Sequence, residues 1–133
     1  TALLSVTLAL TGEHAEIEGV EQLLKEMIYN LLDNAIKYNV PGGSVTVEVA
    51  ETDRDVTLLV RDTGIGIPEG DQSRVFERFY RVDKSHSRAI GGTGLGLSIV
   101  KHAVAYHHGT LRLESQPGKG TVITVTLPKK PTE

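Results

Sequence analysis

The sequence contains no cysteine and no tryptophan, and only one methionine. Without cysteine, disulfides, thiolate catalysis and cysteine-ligated zinc are excluded, and the chain fits a reducing compartment. No apolar run approaches the length of a membrane span, and no signal peptide is visible. The chain begins at Thr1 rather than Met, which fits a fragment, so the missing span says little about a longer parent. Positive charge is not in excess: 14 Lys and Arg stand against 17 Asp and Glu, for a formal charge of −3. A domain-wide electrostatic grip on nucleic acid is therefore not expected. What remains suffices for a core. The 133 residues are 39% hydrophobic and 23% charged. One soluble domain of that size buries roughly two thirds of its unfolded surface and needs no staple.

Hydrophobic periodicity divides the chain into short elements. Leu4, Val6, Leu8 and Leu10 alternate as in a strand, and residues 15–18 read as a short second one. Leu24, Met27, Ile28, Leu31, Leu32 and Ala35 fall at helical spacing, which predicts a helix over Glu21–Tyr38, stopped by Asn39, Pro41, Gly42 and Gly43. Two alternating strands follow, around Val45–Val49 and Val56–Val60, joined as a hairpin. A short helix is predicted over Ser73–Tyr80, then a polar, mobile loop from Arg81 to Gly92. Leu95, Ile99, Val100 and Ala103 predict a helix to Tyr106, which Gly109 ends. Leu111 and Leu113, then Ile123, Val125 and Leu127, alternate on either side of a turn at Gln116–Gly120. The ordered domain is expected to span residues 1–128, with 129–133 as a flexible tail. The fold class expected is an α+β two-layer sandwich, a mixed β-sheet with helices packed on one face. Strand order is not legible from this pattern.

Three clusters carry chemistry. Asn30 and Asn34 lie four apart on one helix face, with Lys37 and Tyr38 a turn further on. A carboxamide oxygen suits a hard cation, a lysine neutralises phosphate, and a tyrosine face packs on a purine. An ordinary polar helix face accounts for these residues equally well. The second cluster, Asp62-Thr63-Gly64-Ile65-Gly66-Ile67-Pro68, follows a strand. Its carboxylate can accept a hydrogen bond from an exocyclic amine, and its glycines let the backbone approach a flat ligand. The Asp-Thr-Gly triplet also resembles that of an aspartic protease, but the helical, glycine-rich context does not suit an all-β protease. The third cluster, Gly91-Gly92-Thr93-Gly94-Leu95-Gly96-Leu97, opens a helix where backbone N–H groups can cradle phosphate. It is neither a P-loop nor a dinucleotide fingerprint, since no Gly-Lys-Ser/Thr closes it and no strand feeds it directly. Phe76 and Phe79, the two phenylalanines, are three apart and read first as packing residues, with Arg78, Arg81, Lys84 and Arg88 supplying charge nearby. The five histidines show no metal-site spacing, and no Gly-x-Ser-x-Gly is present.

In this order the clusters resemble the catalytic and ATP-binding domain of bacterial sensor histidine kinases, within the superfamily shared with DNA gyrase, Hsp90 and MutL. The resemblance runs from about Glu18 to Pro128. Residues 30–38 resemble the N box, Asp62–Gly66 the first glycine box, Phe76–Arg81 the F box, and Gly92–Leu97 the second glycine box. Gly118-Lys119-Gly120-Thr121 resembles the final glycine-containing turn.

The resemblance implies a Bergerat-type ATP-binding fold, with ATP and Mg²⁺ as ligands. Asn34 would hold the Mg²⁺, with Asn30 near its water shell, Lys37 on phosphate and Tyr38 near the base. Asp62 would take the adenine amino group beside Gly64, Gly66 and Ile67, supported by Thr121. Gly92, Thr93, Gly94, Leu95, Gly96 and Leu97 would line the phosphates, under a lid from Val82 to Ile90 anchored by Phe76 and Phe79. Arg81 would be a further phosphate contact. Asn30, Asn34 and Lys37 would form the catalytic set. Two residues depart from the pattern: Asn39 stands where Thr or Ser is frequent, and Thr110 where a second glycine is usual.

Asn30 also replaces the catalytic glutamate of gyrase-type ATPases, which points to a protein acceptor rather than water. None of the histidines resembles the acceptor, which the family carries on a separate dimerisation and phosphotransfer domain. That domain and a response-regulator receiver domain are the expected partners. Nucleic acid and direct membrane contact are not expected, and the setting implied is the cytoplasmic side of a bacterial membrane sensor. A gyrase-type ATPase, an anti-sigma-type serine kinase and a non-catalytic interaction module are the rival readings.

Overall fold

Alternation in the sequence becomes one five-stranded sheet in the computed structural model, which describes residues 7–12, 19–77 and 96–129. The strands are β1 (Thr7–Gly12), β2 (Ser44–Glu51), β3 (Asp55–Asp62), β4 (Thr110–Gln116) and β5 (Gly120–Pro128). Their spatial order is β1-β2-β3-β5-β4. β1 runs parallel to β2, and every other neighbouring pair is antiparallel, so the sheet is mixed as expected. A parallel pair needs a crossover, and helix α1 (Glu21–Lys37) lies in the connection between β1 and β2. Helix α2 (Gly96–Tyr106) precedes β4. The predicted strand at 15–18 lies outside the described residues.

The helices cover one face of the sheet. Met27, Leu31 and Ala35 of α1 recur every four residues and are buried, and Leu97, Val100, Ala103 and Val104 of α2 join them. The sheet contributes Val45, Val47, Val60, Ile123, Val125 and Leu127. Each is on the inward phase of its strand, as period-two alternation requires. Burying one such aliphatic side chain stabilises the fold by roughly 1.5–3 kcal/mol.

Two local expectations differ from the structure. Over residues 73–77, the described part of the helix predicted at Ser73–Tyr80, the chain forms successive three-residue turns, which follow a 3₁₀ helix at Glu69–Asp71. Arg74 N–H reaches Asp71 and Glu77 N–H reaches Arg74, both at 2.9 Å. The Gln72 carboxamide donates to the carbonyls of Ile67 (2.9 Å) and Ser115 (3.0 Å), tying the segment to β4. Residues 78–80 lie outside the described set. At the end of α2 the left-handed residue is His108 (φ 60), not a glycine. The N–H groups of His108 and Gly109 return to Ala105 (3.1 Å) and Val104 (2.9 Å), which closes the helix in a Schellman motif.

Next to that cap, His107 is buried. Its Nδ1 lies 2.8 Å from the Ala103 carbonyl, and its Nε2 accepts the Val20 N–H at 2.9 Å. The pairing fixes the neutral tautomer with the proton on Nδ1. It also joins the end of α2 to the start of α1. Beyond β5, Lys129 donates its N–H to the Arg54 carbonyl at 2.7 Å. Its ammonium meets Glu51 at 3.4 Å, so this first residue of the expected tail is held by the β2–β3 hairpin.

Candidate functional site

Asp62 ends β3 directly opposite Thr121 of β5. One carboxylate oxygen, Oδ1, accepts the N–H groups of Gly64 (2.8 Å) and Thr121 (3.2 Å). The other, Oδ2, has no partner among the described residues. Burial raises the carboxyl above its ordinary value, and the two N–H bonds oppose that shift. The result is an oriented acceptor with one free oxygen, suited to a neutral N–H donor on a flat ligand.

The turn after Asp62 is fixed by contacts to two other segments. Tyr38, the C-cap of α1, accepts the Ile65 N–H on its carbonyl at 3.0 Å. A Cβ on Gly64 would collide with that same carbonyl. Gly66 has φ 75, and a Cβ there would collide with the Gln116 carbonyl of the β4–β5 turn. The space left by both glycines is therefore filled by protein backbone before any ligand enters. Ile67 is half-buried against the core.

Ser115 was not singled out by motif, yet it organises this end of the site. Its hydroxyl accepts the Ile67 N–H (2.8 Å), donates to the Gly120 carbonyl (2.9 Å) and lies 2.8 Å from the hydroxyl of buried Thr121. With the serine proton on Gly120, Thr121 is the donor of that pair. The signal in the sequence is a polar residue two positions beyond Leu111 and Leu113, on the inward phase of β4.

The α1 face is held more loosely. The Asn30 carboxamide donates to the Glu26 carbonyl at 2.7 Å. A Cβ at Gly96 would lie 3.1 Å from Asn30 Oδ1, so Asn30 meets the first residue of α2. The half-buried Asn34 side chain has no hydrogen-bond partner among the described residues. The Lys37 ammonium is 3.0 Å from Asp33 rather than unengaged. Leu97 is buried in the core, where its side chain packs. Phe79, Arg81, Gly92, Thr93, Gly94, Leu95 and the lid from 82 to 90 lie outside the described residues.

The donor set fits ATP with one hard cation. Among the described residues no group of three or more His, Asp or Glu could hold a metal. One carboxamide, Asn34, is uncommitted on the face that Asn30 extends to α2. A Mg²⁺ ion commonly takes one or two protein oxygens and completes its shell with phosphate and water.

Known proteins match this arrangement. The profile of the family described as "Histidine kinase-, DNA gyrase B-, and HSP90-like ATPase" matches residues 19–131. The sensor-like histidine kinase SenX3 of Mycolicibacterium smegmatis is 51% identical over 113 residues, which is 85% of this chain and 29% of that protein. The sensor histidine kinase WalK of Bacillus subtilis is 46% identical over 116 residues, 86% of this chain and 19% of that protein. Among solved structures, the mycobacterial sensor histidine kinase MprB superposes with a TM-score of 0.82 at 37% identity, covering 96% of this chain and 86% of that one. The chain thus spans less than a third of the length of these curated relatives.

Proposed function

Since the chain belongs to the histidine kinase-, DNA gyrase B- and HSP90-like ATPase family, we propose that it is the ATP-binding catalytic domain of a two-component sensor histidine kinase. It transfers the γ-phosphoryl group of ATP to a histidine on the dimerisation and phosphotransfer domain of the same protein. A P–N bond to the imidazole forms as the bond to the β-phosphate oxygen breaks, and ADP leaves.

The observation that carries this reading is the Asp62 carboxylate. Two backbone N–H groups orient it, and its second oxygen is free for the adenine amino group. The α1 face then serves the phosphates. Asn34 is the protein ligand for Mg²⁺, and Lys37 exchanges Asp33 for a phosphate oxygen. Bound Mg²⁺ supplies charge neutralisation between the phosphates. Gly92, Gly94, Gly96 and Arg81 are assigned to the same phosphates by the family resemblance of their motifs alone.

Asn30 supports transfer to a protein rather than hydrolysis. A carboxamide does not accept a proton from water at neutral pH, and this one already donates to its own helix. The phosphohistidine then passes its phosphoryl group to an aspartate on a response-regulator receiver domain. Among the described residues no helix is long and apolar enough to cross a membrane. A catalytic domain on the cytoplasmic side of a membrane sensor is consistent with that.

Calorimetric titration with a non-hydrolysable ATP analogue and Mg²⁺ tests the proposal, with Asp62→Asn and Asn34→Ala beside the unmodified chain. Saturable binding that both substitutions weaken is expected. A folded chain that binds no nucleotide would sink the proposal and bring the interaction-module reading forward.

A further inference from the structure

We propose that Asn39 is a positioning residue for base recognition, acting on Asp62 through Thr63. This rests on the reading above that Asp62 accepts the adenine amino group.

Asn39 is only 5% exposed, and every polar atom of its side chain is engaged. Its amide donates to the Ser44 carbonyl at 2.9 Å. Its oxygen accepts the Val40 N–H at 2.8 Å and the Thr63 hydroxyl at 3.0 Å. That hydroxyl in turn accepts the Ser44 N–H at 2.8 Å, and the Thr63 N–H reaches the Ser44 carbonyl at 3.1 Å. The three residues form a closed ring of hydrogen bonds joining the end of α1, the start of β2 and the residue after Asp62. Gly43 leaves the room: a Cβ there would strike the Asn39 oxygen and lie 2.6 Å from the Thr63 hydroxyl.

The ring has a directional consequence. Tyr38 holds Ile65 through its carbonyl, and Asn39 holds Thr63 through its side chain. Two consecutive residues therefore clamp the Asp62 turn on both sides of Gly64. A serine or threonine at position 39 carries one hydroxyl, with one proton, on the Cβ. Its capacity of one donated and two accepted bonds matches the need, but one oxygen a bond nearer the backbone cannot span Ser44, Val40 and Thr63 at once. The carboxamide can. Without it the turn loosens, and the free Asp62 oxygen loses its aim at the base, while the phosphate-binding face of α1 is untouched.

The test compares a non-hydrolysable ATP analogue with the matching triphosphate of purine riboside, which lacks the exocyclic amino group. Both are titrated with Mg²⁺ into the 133-residue chain. The unmodified chain should prefer the ATP analogue. Asn39→Ser should reduce that preference roughly five- to tenfold, about the worth of one well-placed hydrogen bond. The reduction should come entirely through the ATP analogue, with affinity for the purine riboside compound unchanged. Thr63→Val, at an exposed position, should lower the preference in the same sense, and Thr63→Ser should restore it. These two variants keep the proposal testable if Asn39→Ser fails to fold by circular dichroism. Equal losses for both nucleotides, or no loss for either, would overturn it. An unmodified chain that binds both compounds equally would instead overturn the reading of Asp62 on which it rests.

Discussion

Asp62 and Asn34 are the two residues we propose for the two ends of a nucleotide, and the chain holds them in different ways. Asp62 is fixed by two backbone N–H groups within a turn that contacts α1, β4 and β5. Asn34 projects from α1 with no hydrogen-bond partner among the described residues, between the members of an Asp33–Lys37 ion pair that is about one-third exposed on each side. The end proposed for the base is held in place before binding, and discrimination between bases needs such rigidity, because a mobile acceptor adapts to whatever arrives. The end proposed for the phosphates is left adjustable, which would suit a face that holds a triphosphate and then releases a diphosphate.

The largest way to break this difference is at the rigid end. Gly66→Ala places a side chain at φ 75 against the Gln116 carbonyl. The left-handed conformation and the collision together should cost roughly 2–4 kcal/mol. A thermal melt would show it as a large drop in midpoint, and an unchanged midpoint would refute the packing described for the turn.

Asp62→Asn acts next, and it separates binding from stability. Replacing the free oxygen with an amide should weaken ATP binding roughly 10- to 100-fold, as for loss of a hydrogen bond to a charged group. Folding stability moves the other way. Burial raises the folded-state value of the carboxyl. The protonated form is therefore the one the fold favours, and its contribution is fully present below the ordinary carboxylate value. That contribution is lost as pH rises through the raised value. At neutral pH the variant should be at least as stable as the unmodified chain, and its advantage should shrink on acidification through that window. Denaturant titrations across the acid range would reveal the trend, and a variant less stable at pH 7 than at pH 3, relative to the unmodified chain, would contradict it.

At the adjustable end, Asn34→Ala should leave stability within about 0.5 kcal/mol, since no hydrogen bond is lost. Its effect should appear as roughly a tenfold loss in the Mg²⁺-dependent part of nucleotide affinity. The smallest change is expected for Asp33→Asn, which releases Lys37. Stability should shift by less than about 0.5 kcal/mol. Affinity should rise about twofold at low ionic strength, and the gain should vanish as salt screens the lysine.

Elements governed by periodicity were legible in the sequence. The α1 stripe and the alternating valines of β2 placed the helix and strand close to their observed bounds, because burial on one face dictates both patterns. What depended on contacts distant along the chain was not legible. Gln72 ties the segment after Pro68 to β4, and nothing near position 72 announces this. Gly64 and Gly66 were read as room for a flat ligand, yet their open sides meet the carbonyls of Tyr38 and Gln116. The motif marks this turn, while the immediate reason for its glycines lies in chain packing. Ser115 escaped notice because a single inward serine in a strand has no pattern of its own. Asn39 stood out only as a departure from a family habit, and its network became visible once β2 and β3 were side by side.

His107 bears on the proposed transfer of a phosphoryl group to an imidazole. A ring nitrogen can attack phosphorus only through an available lone pair. In His107 one nitrogen bears the proton facing Ala103, and the other has committed its lone pair to the Val20 N–H. The histidine at the junction of α1 and α2 is chemically masked by the bonds that hold the helices together. In the proposed reaction this imidazole, part of the framework, would not compete for the phosphoryl group.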